Sequence, residues 1–181
     1  MSGHVEAGLA LYRAGKPDQA AAHLLHPVSE THQAERAGID SLGFKPELFQ
    51  AVSSAMDSGL PASEVEPMLM KAENNIMLLQ ENSGGDFVEI IHFLMHTVNE
   101  EYQEGVKDGL MIEPGEYQDA FGFSVVALKM AKREEKGSSV LLVKELETLI
   151  GLWPVGGPIA ESKPTPVKEV LEQTKRVISH L

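Results

Sequence analysis

The chain has 181 residues, 15 Lys and Arg against 27 Asp and Glu for a formal net charge of −12, and no cysteine. That length suits one soluble domain with its own core, and the missing cysteine removes disulfides, thiolate metal sites and cysteine nucleophiles. An acidic balance without any run of bases excludes a nucleic-acid binder and a sensor of anionic membranes, and favours cations as partners.

Helical periodicity runs through the sequence and alternating β-branched runs are missing, so the expected fold is all-α. The pattern describes a helical bundle built from antiparallel helix hairpins, about seven to eight helices in all. A first helix spans His4 to Ala14 and stops at Gly15; Pro17 opens the second, which kinks at Pro27 and continues through Glu35 to near Gly38. Gly8, Leu11, Gly15 and Ala20, with Leu24, are spaced as in a close helical hairpin, and no second copy makes a repeat array of it.

Pro46 starts a third helix reaching Ser58, and Pro61 with Ser63 starts a fourth reaching Glu81. After the break at Asn82-Ser83-Gly84-Gly85, Asp86 caps a fifth helix from Phe87 to Lys107, ended by Asp108-Gly109. A tight connection, Leu110 to Gly115, leads to a sixth from Glu116 to Arg133; Gly137-Ser138 precedes a seventh from Ser139 to Leu152. Trp153 and a proline-bearing crossing lead to the last helix. The chain reads as a single helical domain over 1–181: a first hairpin over 1–38, a bundle core over 46–152, and a crossing with its helix over 153–181. No apolar stretch approaches the roughly 20 residues that span a bilayer, so direct membrane insertion is not expected. Met1-Ser2-Gly3-His4 lacks the basic start and apolar core of a signal peptide, as a trimmed secreted chain would.

The negative charge is concentrated. Residues 37–106 hold 2 bases, Lys45 and Lys71, and 12 acids, which is −10 of the −12, and residues 72–106 contain no base at all. Within that stretch Glu89, His92, His96 and Glu100 fall on one face of the fifth helix, opposite Ile91, Leu94, Met95, Val98 and Tyr102. Two His four apart reach one metal ion through imidazole nitrogen, and carboxylates a turn away complete the shell or orient the rings. Exposed helix faces usually mix charge signs, so a stripe without bases asks for a cation. Phe93 beside it suggests a sheltered face.

The second helix carries a similar set, His23, His26 and Glu30, with His4 approaching from the first helix. Facing one another, the two stripes would form a thiolate-free site suited to iron, zinc, copper or manganese. No Gly-rich phosphate loop, zincin motif or nucleophile elbow is present, and the reading leans away from an enzyme.

The stretch from Tyr102 through Val106-Lys-Asp108-Gly109 and Glu116-Tyr117 to Phe123 resembles the extracytoplasmic amino-terminal region of bacterial Ftr-type high-affinity iron permeases. Leu152-Trp153-Pro154 and the proline-rich lead into the last helix are similar too. The resemblance implies a periplasmic helical domain without the membrane permease part, which binds or hands over iron, with a membrane permease or another uptake component as partner. The Arg-Glu-x-x-Glu motif of the permease channel is absent, since Arg133-Glu134-Glu135 does not complete it. The His and carboxylate stripes and the resemblance together point to a periplasmic protein binding a transition metal, iron foremost, in metal uptake or handling. The alternative is a helical-hairpin module for protein–protein interaction, holding no metal.

Overall fold

Prolines and small polar residues set the helix starts in the computed structural model, which describes residues 1–29, 38–134 and 139–181. Pro17, Pro46 and Pro114 occupy first-turn positions where the missing N–H costs nothing. The Asp86 carboxylate accepts from the Glu89 amide at 2.9 Å, and the Ser139 hydroxyl oxygen accepts from the Leu142 amide at 3.0 Å, so each side chain satisfies a donor its helix cannot.

The chain packs as two compact units, Met1–Gly84 and Gly85–Leu181, and the boundary falls at the glycine-rich break read from the sequence. In the first unit, α1 (Ser2–Arg13), α2 (Pro17–Ser29), α3 (Pro46–Asp57) and α4 (Ala62–Ser83) pack each on the next, and α4 also touches α1. Val5, Leu9, Leu11, Leu24, Phe49, Val52 and Leu69 form its core, with Phe44 and Phe49 stacked at 5.3 Å. The buried Asn75 amide closes the lead into α3: its oxygen accepts from the Lys45 amide at 3.0 Å and its nitrogen donates to the Gly43 carbonyl at 2.8 Å.

The second unit contains α5 (Phe87–Gly105), the short strands β1 (Val106–Lys107) and β2 (Leu110–Met111), α6 (Pro114–Arg133), α7 (Val140–Ile150) and α8 (Val167–Ile178). α5 packs on α6, α6 on α7, α7 on α8, and α8 returns to α5, closing a four-helix bundle. Its end is filled by aromatics. Trp153 is buried against Tyr102, Tyr117 and Phe121, with ring centroids 5.2, 5.9 and 5.8 Å away, and its indole N–H donates to the Tyr117 carbonyl at 3.2 Å. The Tyr102 hydroxyl donates to the Thr165 carbonyl at 2.8 Å and so ties the crossing to the bundle.

The all-α expectation holds, with one local correction. Asp108-Gly109 does not simply end the fifth helix: both residues take positive φ, 53° and 76°, and turn a hairpin in which Val106 pairs with Met111 and Lys107 with Leu110. Asp-Gly is a favoured pair for a two-residue turn needing left-handed backbone at both positions, so the helix closes at Gly105 and the next opens at Pro114. The second helix runs on through Pro27 to Ser29; its predicted continuation through Glu35, and Gly137-Ser138, lie outside the described residues.

At Gly105, α5 and α6 approach closely. A Cβ there would meet the Tyr117 backbone nitrogen at 2.5 Å and its Cα at 2.9 Å, atoms that cannot yield without parting the helices. Gly105→Ala is expected to destabilise the protein by about 1–3 kcal/mol, seen as a lower urea midpoint at unchanged slope. An unchanged midpoint would contradict this packing.

Candidate metal centre

The first hairpin brings three histidines together. α1 and α2 approach closely because Gly8 has no side chain: a Cβ at that position would meet the Leu24 Cγ at 2.8 Å and the Ala20 carbonyl oxygen at 3.2 Å. His4 lies one turn before Gly8, and His23 and His26 flank Leu24. His4 and His26 meet edge to face with centroids 4.8 Å apart, and their Nδ1 atoms are separated by 3.2 Å. His23, only 2% exposed, lies with its ring 5.2 Å from that of His26. Each of the three rings offers a nitrogen within 4.8 Å of the others.

Two chemistries are open to such a cluster. Without a metal, one imidazole N–H donates to the lone pair of the next. With one, metal–nitrogen bonds of about 2.0–2.1 Å put neighbouring ligand nitrogens roughly 2.8–3.0 Å apart in octahedral and roughly 3.3–3.4 Å apart in tetrahedral geometry, and the His4–His26 separation of 3.2 Å lies between the two. Pro27 follows directly and, lacking an N–H, has nothing to donate to the His23 carbonyl. Glu30, the carboxylate predicted to complete this set, lies outside the described residues, as do His32 and Glu35.

The stripe on α5 has a different character. Glu89, His92, His96 and Glu100 are all exposed, and Phe93, expected to mark shelter, is itself 67% exposed. His96 Nδ1 contacts Glu100 Oε2 at 3.2 Å, with 74% and 61% of the two side chains accessible. The Glu89 amide is engaged by the Asp86 cap.

A further acidic group was missed in the sequence. Glu101, Glu104 and Glu116 each place a carboxylate oxygen within 4.8 Å of the others where α5 and α6 meet. Burial, a side-chain hydrogen bond with Glu116 and the charges of Glu116, Asp119 and Glu104 push the Glu101 carboxyl up to about 8. The signal was there as two i, i+3 acidic pairs, Glu101-x-x-Glu104 and Glu116-x-x-Asp119, on either side of a short connection. Their meeting depends on the β1–β2 turn, which helical spacing alone does not locate.

The exposed His96–Glu100 pair contributes little to stability. Glu100→Ala is expected to shift unfolding by less than about 0.5 kcal/mol, whereas Asp86→Ala, which removes the α5 cap, costs about 1 kcal/mol. Equal losses in urea unfolding would contradict this difference.

No curated protein and no solved structure matches the chain. Among the described residues no helix is long and apolar enough to cross a membrane. Residues 80–180, which contain the Tyr102–Phe123 stretch, the Trp153 plug and the whole four-helix unit, match the iron permease-associated 4-helix bundle domain. That match covers more than half of the chain, and the protein belongs to this family.

Proposed function

We propose that the protein binds a transition metal ion, iron in the setting its family indicates, and handles it in the periplasm beside a membrane permease. Membership of an iron permease-associated family links the chain to iron uptake. The observation that carries the metal reading is the convergence of His4, His23 and His26 within one hairpin. Three neutral imidazoles form a borderline donor set that suits divalent iron, zinc or copper. Three ligands leave coordination positions open, and Glu30, read from the sequence as part of this set, is the carboxylate proposed to fill one of them.

The α5 stripe of Glu89, His92, His96 and Glu100 is a second possible holding point for a cation. Its exposure supports transient capture rather than retention. The alternative of a protein–protein interaction module draws on Met70, Met77 and Leu78, exposed apolar side chains along α4. Catalysis forms no part of the proposal.

The test is metal uptake by the purified full-length chain after chelator treatment, titrated separately with Fe(II) under anaerobic conditions, Zn(II) and Cu(II). About one tight equivalent is expected, with a rise in melting temperature. His4→Ala and His26→Ala, both at half-buried positions, are expected to weaken uptake at least tenfold while the paired change His92→Ala and His96→Ala leaves it in place. Uptake lost only with the α5 pair would move the site to that stripe. No uptake of any of the three ions would overturn the metal reading and leave the interaction module.

A further inference from the structure

We infer that the turn end of the first unit is a binding pocket for a small organic ammonium ion with an apolar body. A cavity of about 550 Å³ opens there between the α1–α2 turn and the α3–α4 turn. That volume, with apolar walls around a few polar groups, is the usual form of a small-molecule site. Tyr12, on its wall, lies two helical turns beyond His4 on α1, about 12 Å away along the helix axis. The pocket and the histidine cluster share no residue.

Two turns of one design build the walls, Ala14-Gly15-Lys16-Pro17 and Ser58-Gly59-Leu60-Pro61. In the first, the Gly15 amide donates to the Tyr12 carbonyl at 2.9 Å and the Lys16 amide to the Leu11 carbonyl at 2.9 Å. In the second, the Gly59 amide donates to the Met56 carbonyl at 2.9 Å and the Leu60 amide to the Ala55 carbonyl at 3.0 Å. Both glycines take positive φ, 76° and 67°, which is how a helix ends in a left-handed residue. Tyr12 and Met56 are therefore equivalent positions of the two turns, and both line the pocket. With the turn amides engaged in closing the helices, recognition falls to the side chains.

The polar side chains choose the charge of the ligand. The Tyr12 hydroxyl and the Glu66 carboxylate line the pocket, and the Glu66 charge acts on Tyr12. Among the described residues, neither group is held by a hydrogen bond or an ion pair. Both present oxygen lone pairs to a donor. The guanidinium on the wall, Arg13, is already committed, with Nη2 3.2 Å from Glu73 Oε1. An anion entering the pocket would meet the Glu66 charge with Arg13 shared, whereas an ammonium group donates to both oxygens and leaves the Arg13–Glu73 pair intact. Pro17, Met56, Leu60 and Val65 supply apolar surface for the rest of the molecule. Leu60 is 38% exposed, so a ligand there covers hydrocarbon that now faces water.

Methyl and amide NMR of the full chain, titrated with hexylammonium, hexanol and hexanoate, tests this. Hexylammonium is expected to shift the Met56, Leu60 and Val65 resonances saturably and to bind about tenfold more tightly than the other two. Glu66→Gln, at an exposed position, is expected to abolish that preference over hexanol. His4→Ala is expected to leave it unchanged, so failure of the metal reading and failure of the pocket are told apart. N-acetyl-lysine methylamide separates a free amine from a lysine of a partner chain: weaker binding than hexylammonium is expected, and equal or tighter binding would overturn the assignment to a small ligand. Hexanoate binding as tightly as hexylammonium, or no saturable shift of these residues up to about 10 mM hexylammonium, would overturn the pocket. The comparison of probes needs no variant, so a substitution that fails to fold leaves the test intact.

Discussion

The close approach of α1 and α2 at Gly8 is the constraint on which the candidate metal centre depends. Helices in contact normally sit 8–10 Å apart, a spacing set by the side chains between them. Here the Leu24 side chain occupies the space a Cβ on Gly8 would need. That closeness brings His4, one turn away, edge to face with His26 and near the buried His23. A larger residue at position 8 would push α1 outward and separate His4 from its partners without altering any ring.

The carboxyl-terminal unit uses the same device for a different purpose. Gly105 lets α5 lie against the Tyr117 backbone, and this contact sets the register of the hairpin. Apolar packing follows from it: Tyr102 and Tyr117 lie with ring centroids 5.7 Å apart, Trp153 closes over both, and the crossing is tied down through Thr165. Polar consequences follow as well, because the fixed register places acidic side chains from both helices together. In each unit a glycine brings two helix backbones together, and the titratable groups one turn away acquire partners they would lack on isolated helices. Burial also pushes the Tyr102 and Tyr117 hydroxyls above the ordinary phenol range, so both remain protonated hydrogen-bonding groups at neutral pH.

Much of this was legible in the residues. Periodicity and proline positions locate the described helices to within a few residues, and Gly8 with Ala20 and Leu24 announces a close hairpin. His23, His26 and His4 could be grouped because their helices are consecutive and their spacing places them along one side. The turn at Asp108-Gly109 was harder, because the same dipeptide ends helices and turns hairpins; the positive φ at both positions separates the two uses. The Glu101–Glu116 meeting was not legible, since it needs the exact closure of that turn rather than the period of either helix. A run of acids without bases looks alike on an exposed and on an enclosed helix face, so charge content alone does not say which kind of face the α5 stripe lies on. Accessibility distinguishes these cases, and it is a property of the folded chain.

Anomalous diffraction from crystals grown with Fe(II) or Zn(II) tests most directly whether the three imidazoles hold one ion. A single strong peak is expected about 2.0–2.2 Å from ring nitrogens of His4, His23 and His26. A fully metal-loaded crystal with its peaks elsewhere, and the His4 and His26 Nδ1 atoms still joined by a hydrogen bond, would contradict the account.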